Sequence, residues 1–210
     1  MSLEVKHLTH TYSAGSAFQA TAVHDVSLTI EDGEFVCIVG HTGSGKSTLV
    51  QHLNGLLKPT SGQVLVDGED MNGENVDRRR IRQKVGLVFQ YPEYQLFEET
   101  IAKDIAFGPK NQGLSEEEID QRVRRAMAHV HLDYNKYAER SPFDLSGGQM
   151  RRVAIAGVLA MEPKVLILDE PANFVDNKFE KELYRTLHEL NTRMAIVMVS
   201  HDVGTISSVV

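Results

Sequence analysis

The chain has 210 residues, which suits one large α/β domain with a single core. Hydrophobic residues make up 41% and charged residues 24% of the sequence, a balance that argues against a disordered tail or a fibre. The formal net charge is -7, so the chain as a whole has no electrostatic attraction to nucleic acid or anionic lipid. We therefore expect no nucleic-acid partner.

The only cysteine, Cys37, excludes an intramolecular disulfide framework and a cysteine metal cluster. A lone thiol suits a reducing compartment, and we expect the protein to be cytoplasmic. No run approaches the roughly 18 apolar residues needed to cross a bilayer. The amino end, MSLEVKHLTH, also lacks the apolar segment of a signal peptide. If the protein works at a membrane, another chain must supply the span.

Short β-like runs open the chain, over Ser2 to Leu8 and Ala22 to Ile30, and predict an antiparallel patch. A continuous apolar run from Phe35 to Val39 then precedes the loop GHTGSGKS, which matches G-x-x-x-x-G-K-S between a strand and a helix. Glycines let the backbone wrap closely around phosphates, and the following helix turns its positive end toward the same anion. The alternative is a glycine-rich turn followed by a chance Lys-Ser pair.

This loop predicts a site for a nucleoside triphosphate with Mg²⁺. Lys46 would place a charge on the β- and γ-phosphates, and the Ser47 hydroxyl would ligate the metal. The predicted nucleotide-binding residues of this segment are Gly40, His41, Thr42, Gly43, Ser44, Gly45, Lys46, Ser47 and Thr48.

The second half of the chain alternates helical and β-like runs. Ser115 and Glu118 form a capping-box pattern ahead of an apolar helical stripe that we assign to packing, formed by Ile119, Val123, Met127 and Val130. The remaining predicted elements are a helix over Met150 to Met161, a strand over Val165 to Glu170, a helix over Asn177 to Leu190 and a strand over Ala195 to Asp202. Buried β-rich runs separated by helices predict a mostly parallel sheet covered on both faces.

An acidic pair ends the apolar run VLILDE. A phosphate-bound metal needs a second anchor, and Asp169 is placed to supply it. Glu170 would then be the general base, or would orient the attacking water. An acidic pair after a strand also serves as a loop start or a helix cap, and that is the alternative for these two residues.

The segment Leu145-Ser146-Gly147-Gly148-Gln149 resembles the LSGGQ signature of ATP-binding-cassette (ABC) ATPases. Its position before a helix supplies a second phosphate cradle, because Ser146 can cap the helix and the two glycines expose backbone N–H groups. The alternative is a plain helix cap of small residues. The resemblance implies that the residues from Ser146 to Gln149 bind the γ-phosphate held by a second ABC subunit, identical or different, in a head-to-tail dimer.

The same resemblance assigns roles to four further residues. Gln90 would reach Mg²⁺ and the attacking water, and His201 would contact the γ-phosphate; on their own, both would be ordinary surface residues. Tyr12 would stack on adenine, with a structural role as its alternative. Asp176 would communicate between the two sites of the dimer.

Three longer segments are similar to the ATPase subunits of energy-coupling factor (ECF) transporters, which power vitamin and metal-ion uptake: GHTGSGKSTLVQHLNGLLKPTSG, LVFQYPEYQLFEETIAKDIAFGP and SPFDLSGGQMRRVAIAGVLAMEP. This similarity covers residues 3–171. Tyr91 to Pro109 would form a groove for a helix of the transmembrane transporter subunit, with Tyr94, Leu96 and Phe97 as exposed apolar contacts. Packing within the helical lobe is the alternative for those three side chains.

Residues 172–210 look more like the cassette of a zinc or manganese uptake transporter, and Phe174 is large where the family has small residues. A truncated subunit, an engineered fusion of two ABC segments and a chain whose missing end is unimportant all remain open, with the fusion preferred. The expected fold is a single α/β P-loop NTPase domain of the ABC type. Its core would comprise residues 1–90 and 163–210, and its helical signature lobe residues 91–162.

The expected function is ATP hydrolysis that powers a membrane transporter of the ECF type, with the protein peripheral on the inner face of the membrane. Two alternatives remain at this point. One is a truncated or chimeric domain that binds nucleotide and hydrolyses little. The other is a non-transport ABC ATPase, although the long coiled-coil insertions or paired cassettes usual in such chains are not present in this sequence.

Overall fold

The computed structural model describes residues 1–74, 76–173 and 177–201. Its strands are β1 (Leu3–Tyr12), β2 (Ala20–Ile30), β3 (Phe35–Val39), β4 (Ser61–Val66), β5 (Glu69–Asp70), β6 (Val85–Val88), β7 (Val165–Asp169) and β8 (Ala195–Ser200). Its α-helices are α1 (Lys46–Leu53), α2 (Arg78–Lys84), α3 (Ile101–Asn111), α4 (Glu116–His129), α5 (Tyr134–Tyr137), α6 (Gly147–Leu159) and α7 (Asn177–Asn191). Short 3-10 turns lie at Pro92–Gln95 and Pro142–Asp144.

The strands form two sheets. One is antiparallel with the order β2-β1-β4-β5, and the other is parallel with the order β3-β8-β7-β6. This arrangement confirms the predicted parallel sheet with an antiparallel patch. Strand β2 contains the predicted run from Ala22 to Ile30, and β1 overlaps the other run but begins at Leu3, one residue after its predicted start; β4, β5 and helix α2 were not predicted.

The parallel sheet is covered on both faces, as expected. Alternate residues of β7 point to opposite sides, because successive side chains of a strand do so. Ile167 packs with α1 and the antiparallel sheet in one apolar cluster, and Leu166 and Leu168 pack with α6 and α7 in the other. All three side chains are fully buried, and each contributes about 1.5 to 3 kcal/mol through burial.

Strand β3 departs from the expectation of a buried run. It pairs with β8 and lies at an end of the parallel sheet formed by the described residues. Its side chains are only half-buried, and that of Val39 is 42% exposed. The carboxyl end of β3 is therefore open to solvent where the phosphate loop begins.

Helices α3, α4 and α6 pack together on the second apolar cluster. The capping box of Ser115 and Glu118 is present at the start of α4, and the predicted stripe of that helix is buried, which confirms its packing role. Because this cluster runs from the three helices into β7 and β8, the division into core and lobe at residues 91 and 162 stays a prediction.

Helix α7 is strongly amphipathic. It buries Phe179, Leu183 and Leu187 against the sheet and leaves its charged side chains on the other face. The predicted helix over Asn177 to Leu190 is therefore confirmed. Among the helices that the structure describes, none has the length and apolar character needed to cross a bilayer.

Candidate nucleotide-binding and catalytic site

The phosphate loop joins the open end of β3 to helix α1. Gly45 precedes the helix with a φ of 88°, and a Cβ atom there would lie 2.1 Å from the carbonyl oxygen of Ala22. Only glycine fits this position. No side chain of the described residues caps α1, so the N–H groups of its first turn stay available to an anion.

Lys46 is the first residue of α1, and its side chain contacts the start of this loop. Its side chain is buried, and Nζ donates to the carbonyl oxygens of Gly40 at 2.6 Å and His41 at 3.0 Å. The positive charge is thus held against the loop backbone, beside the free N–H groups of α1. A phosphate entering the loop would meet both.

Asp169 ends β7 beside Ser47. It is only 5% exposed, and its Oδ1 has no hydrogen-bond partner among the described residues. Burial raises the pKa of Asp169; the hydrogen bond from Ser47 lowers it, the neighbouring charge of Glu170 raises it and that of Lys46 lowers it. A buried carboxylate oxygen without a donor, next to a hydroxyl, is an oxygen site that suits Mg²⁺.

The rest of a magnesium shell would come from elsewhere. No group of three or more His, Cys, Asp or Glu side chains in the described ranges could hold a metal. Mg²⁺ is usually held by one or two carboxylates together with substrate phosphates and water. Asp169 and Ser47 fit that pattern, and Gln90 lies near them through its bond to Glu170.

The carboxylate of Glu170 brings the predicted catalytic residues together. Its Oε2 accepts a hydrogen bond of 3.2 Å from Nε2 of Gln90 and lies 3.5 Å from Nδ1 of His201. Its Oε1 lies 4.0 Å from Nζ of Lys46. Gln90, Lys46, Glu170 and His201 therefore form one cluster at the carboxyl ends of the parallel strands.

The backbone of Glu170 is in the left-handed region, with a φ of 49°. A residue other than glycine in this conformation costs about 1 to 3 kcal/mol and persists only where the surroundings hold it. The strain therefore points to a constraint on where this side chain lies.

Tyr12 lies at the end of β1, next to the first turn of α1. Its ring is 43% exposed, and its hydroxyl lies 3.2 Å from Oγ1 of Thr48. One edge of the ring contacts His10, which in turn is hydrogen-bonded to His52 of α1. An exposed ring fixed beside the phosphate loop has the placement expected of an adenine platform.

The LSGGQ turn forms a second helix start. Ser146 caps α6 in a capping box with Gln149, and both Ser146 and Gly147 are exposed. The half-buried Gly148 lies against Phe179, whose ring would be 3.3 Å from an added Cβ. No hydrogen bond or ion pair between described residues joins this turn to the phosphate loop, so the two anion-binding helix starts are separate places on the chain.

Some predicted residues cannot be placed, and some residues of the site were missed. Asp176, Phe174 and the end of the strand predicted to reach Asp202 lie outside the described residues.

Asn173 and Arg151 contact the Glu170 turn and were not predicted. The signals for them were weak: a polar residue three positions after Glu170, and one of two consecutive arginines in a helix whose second half is apolar.

A groove of about 480 Å³ lies between β6, α2, α3 and α6, and includes part of the predicted docking segment. Tyr94 is 85% exposed, and Phe97 is exposed at the edge of the groove, as expected. The expectation was wrong for Leu96, which is 6% exposed and belongs to the apolar cluster of α3 and α6. Leu96 and Phe97 both line the groove, but only the side chain of Phe97 is exposed to solvent.

The profile of the ABC transporter family matches residues 23–173, a span that holds the phosphate loop, Gln90, the LSGGQ turn and Glu170. The chain belongs to this family. Like other ABC ATPases, it binds ATP and is an ATP hydrolase.

Its relatives are described as "Energy-coupling factor transporter ATP-binding protein EcfA2". That of Clostridium tetani is 57% identical over 209 residues, which is 99% of this chain and 73% of the relative. That of Clostridium acetobutylicum is 56% identical over 211 residues, covering 100% of this chain and 74% of the relative. These alignments continue past residue 171, so no fusion of two families is needed to account for the ABC chain.

Solved ABC structures share the fold. The cbiO1 protein from Clostridium perfringens, part of the ABC transporter complex cbiONQ, has a TM-score of 0.87 at 37% identity, covering 99% of this chain and 81% of that one. The ATP-binding cassette MJ0796, in a dimeric post-hydrolysis state bound to ADP and Pi, has a TM-score of 0.85 at 32% identity, covering 97% and 89%. The predicted ABC-type P-loop fold is therefore confirmed.

Proposed function

We propose that this ABC protein is an ATP-hydrolysing subunit of an ECF-type transporter for a vitamin or a metal ion, and that it works on the inner face of the membrane. The observation that carries the proposal is the convergence of Gln90, Lys46 and His201 on Glu170, beside the phosphate loop. The identity of 57% to an ECF transporter ATP-binding protein supports the choice of transporter class.

ATP would be gripped along its length by residues of this chain. The N–H groups of the phosphate loop and Lys46 bind the phosphates, and the exposed ring of Tyr12 stacks on adenine. Ser47, Gln90 and Asp169 would hold Mg²⁺, whose charge offsets the negative charge of the phosphate oxygens. The unpartnered Oδ1 of Asp169 supports this assignment.

Hydrolysis requires a water molecule placed in line with the γ-phosphate. Gln90 bonds to Oε2 of Glu170, so the other oxygen, Oε1, which faces Lys46, would orient that water and accept its proton. The water oxygen bonds to the γ-phosphorus as the bond to the bridging oxygen of ADP breaks, and His201 donates a hydrogen bond to the transferring phosphoryl group. Positioning and charge stabilisation supply most of the rate.

A second ABC subunit would complete the site. The helix start formed by Ser146, Gly147, Gly148 and Gln149 is separate from this chain's own phosphate loop. An anion there belongs to another molecule, so we assign it to the γ-phosphate of ATP on the partner in a head-to-tail dimer. The dimeric state of the related cassette MJ0796 supports this arrangement.

The transmembrane partner would dock in the groove of about 480 Å³ between α2 and α3. The exposed side chain of Phe97 lines it, and Tyr94, three positions earlier, is also exposed; two such aromatic side chains suit the apolar face of a short helix. Phe89, which lines the groove, directly precedes Gln90, so a movement of the docked helix would reach the catalytic cluster directly.

Phosphate release tests this function. The purified chain with Mg-ATP is expected to release phosphate in steady state, and Lys46→Ala is expected to lower the rate at least about 100-fold, because it removes the charge that holds the phosphates. Equal release by the variant would assign the activity to a contaminant and overturn the proposal.

A further inference from the structure

The side chain of Arg151 is buried where three functional segments meet. It extends from α6, five residues after Ser146, and is 4% exposed. One guanidinium nitrogen, Nη1, donates to the carbonyl oxygens of Pro171 at 2.9 Å and Asn173 at 2.8 Å. The other, Nη2, lies 3.6 Å from Oε2 of Glu93.

These contacts fix the turn that follows Glu170. Both carbonyl groups belong to the three residues after the catalytic carboxylate, so one planar guanidinium spans the whole turn. The left-handed backbone of Glu170 needs such a restraint. Arg151 therefore holds the main chain on which the carboxylate is mounted.

Asn173 holds the side chain of Glu170. Its Nδ2 donates to Oε2, the oxygen that also accepts from Gln90. Two amide donors on Oε2 leave Oε1 as the oxygen that faces Lys46. The amide of Asn173 thus selects which carboxylate oxygen is presented to the nucleotide.

We propose that Asn173 and Arg151 are positioning residues for Glu170. Asn173 orients the carboxylate, and Arg151 links the turn beneath it to the signature helix and to Glu93 of the docking segment. This inference rests on the proposed function and extends it.

Arg152 provides a matched control for Arg151. It is the next residue of α6 and makes one ion pair, with Glu182, as Arg151 does with Glu93, but it bonds to one carbonyl oxygen, that of Val130, where Arg151 bonds to two. These partners lie on α7 and just after α4, away from Glu170. A lysine in either place keeps the charge but cannot span two acceptors as a guanidinium does.

A double-mutant cycle tests the role of Asn173. Asn173→Ala is expected to lower kcat about 10- to 100-fold and to leave KM for ATP within about 2-fold, because only the aim of Glu170 changes. Adding Asn173→Ala to the Glu170→Gln variant is expected to change the single-turnover hydrolysis rate less than about 2-fold. The reason is that Asn173 acts only through the carboxylate that Glu170→Gln has already removed.

The arginine pair tests the link to the signature helix. Arg151→Lys is expected to lower kcat about 10-fold and Arg152→Lys less than about 2-fold, with similar losses in the urea midpoint of unfolding. If kcat falls in proportion to the urea midpoint in both variants, Arg151 is a structural residue and does not position Glu170. Asn173→Ala does not depend on this comparison, because it removes only a half-buried side chain.

The outcomes separate this inference from the proposed function. A Glu170→Gln variant as active as the wild type would overturn both. If Glu170→Gln is slow, two results would overturn the positioning role alone. One is an unchanged kcat in Asn173→Ala, and the other is an equal rate loss from Asn173→Ala in the wild-type and the Glu170→Gln backgrounds.

Discussion

Gln90 donates a hydrogen bond of 3.2 Å to the carboxylate of Glu170, a residue 80 positions further along the chain. The bond joins two strand ends, since Gln90 follows β6 soon after its end and Glu170 follows β7 directly. Because β6 and β7 are parallel neighbours, their carboxyl ends meet at the same edge of the sheet. The sheet topology thus brings Gln90, the residue directly before the predicted docking segment, into contact with the carboxylate of Glu170.

Tyr12 is expected to set the affinity for adenine. Tyr12→Ala removes the exposed ring and should weaken ATP binding about 10-fold, whereas Tyr12→Phe loses only the contact with Thr48 and should weaken it less than about 3-fold. Isothermal calorimetry with Mg-ATP and with Mg-triphosphate measures both. An equal loss of affinity for inorganic triphosphate would contradict stacking on the base.

Asp169 is expected to act through the metal. Asp169→Asn keeps the size of the side chain but removes the charge that a buried magnesium ligand supplies. Hydrolysis should need about 10-fold more Mg²⁺ for half-maximal rate, while nucleotide binding in EDTA stays unchanged. A magnesium titration of phosphate release measures this shift. An unshifted titration would remove Asp169 from the metal site.

The groove next to Phe97 is expected to bind the membrane partner and to leave basal hydrolysis intact. Phe97→Ser with Tyr94→Ser should reduce co-purification with the transmembrane subunit at least about 10-fold, because the apolar contact area is lost. Phe18→Ser, an equally exposed aromatic residue outside the groove, is the control. Normal assembly of the double variant would place the docking surface elsewhere.

Stability is expected to fall in mildly acidic solution because of His52. Burial lowers the pKa of His52 from its ordinary value of 6.5; the bond to the Thr48 carbonyl raises it, and the charge of nearby His10 lowers it. The unfolded chain therefore takes up a proton below about pH 6.5 that the folded chain refuses, so the free energy of unfolding decreases as pH falls through that range. Above pH 7 His52 is neutral in both the folded and the unfolded chain, so this decrease in the free energy of unfolding is absent.

Urea unfolding between pH 8 and pH 5 measures this decrease. His52→Asn keeps a donor for the Thr48 carbonyl and is expected to flatten the slope, although its stability at pH 8 is lower. His129, whose pKa burial also lowers, supplies a second contribution that persists in the variant. An unchanged slope in His52→Asn would contradict the assignment to His52.

The sequence was sufficient for the features that depend on local pattern. Strand, loop and helix around Lys46, the capping box at Ser115 and the apolar stripe of α4 all follow from spacing alone. Strands β4 and β5 were not predicted because they are short and partly exposed, and their apolar alternation is weak. Leu96 was misjudged because a single turn has no period from which to tell its inner side.

The contacts within the site depended on the tertiary fold. That Asn173 and Gln90 would share one oxygen of Glu170 follows from the pairing of β6 with β7, which no local pattern specifies. The contacts of Arg151 could not be predicted either, because the sequence does not show which carbonyl oxygens a buried arginine will meet. The half-buried state of β3 depends on its place at the end of the described sheet.

We infer that ATP is held between two ABC subunits, identical or different, by the phosphate loop of one and the LSGGQ turn of the other. Sedimentation of Glu170→Gln with and without Mg-ATP tests it most directly, because slow hydrolysis preserves the bound nucleotide. We expect a monomer without nucleotide and a dimer with it, and Ser146→Arg should abolish the dimer while ATP still binds. A Glu170→Gln protein that binds Mg-ATP and stays monomeric, alone and with a second ABC subunit, would contradict the shared site.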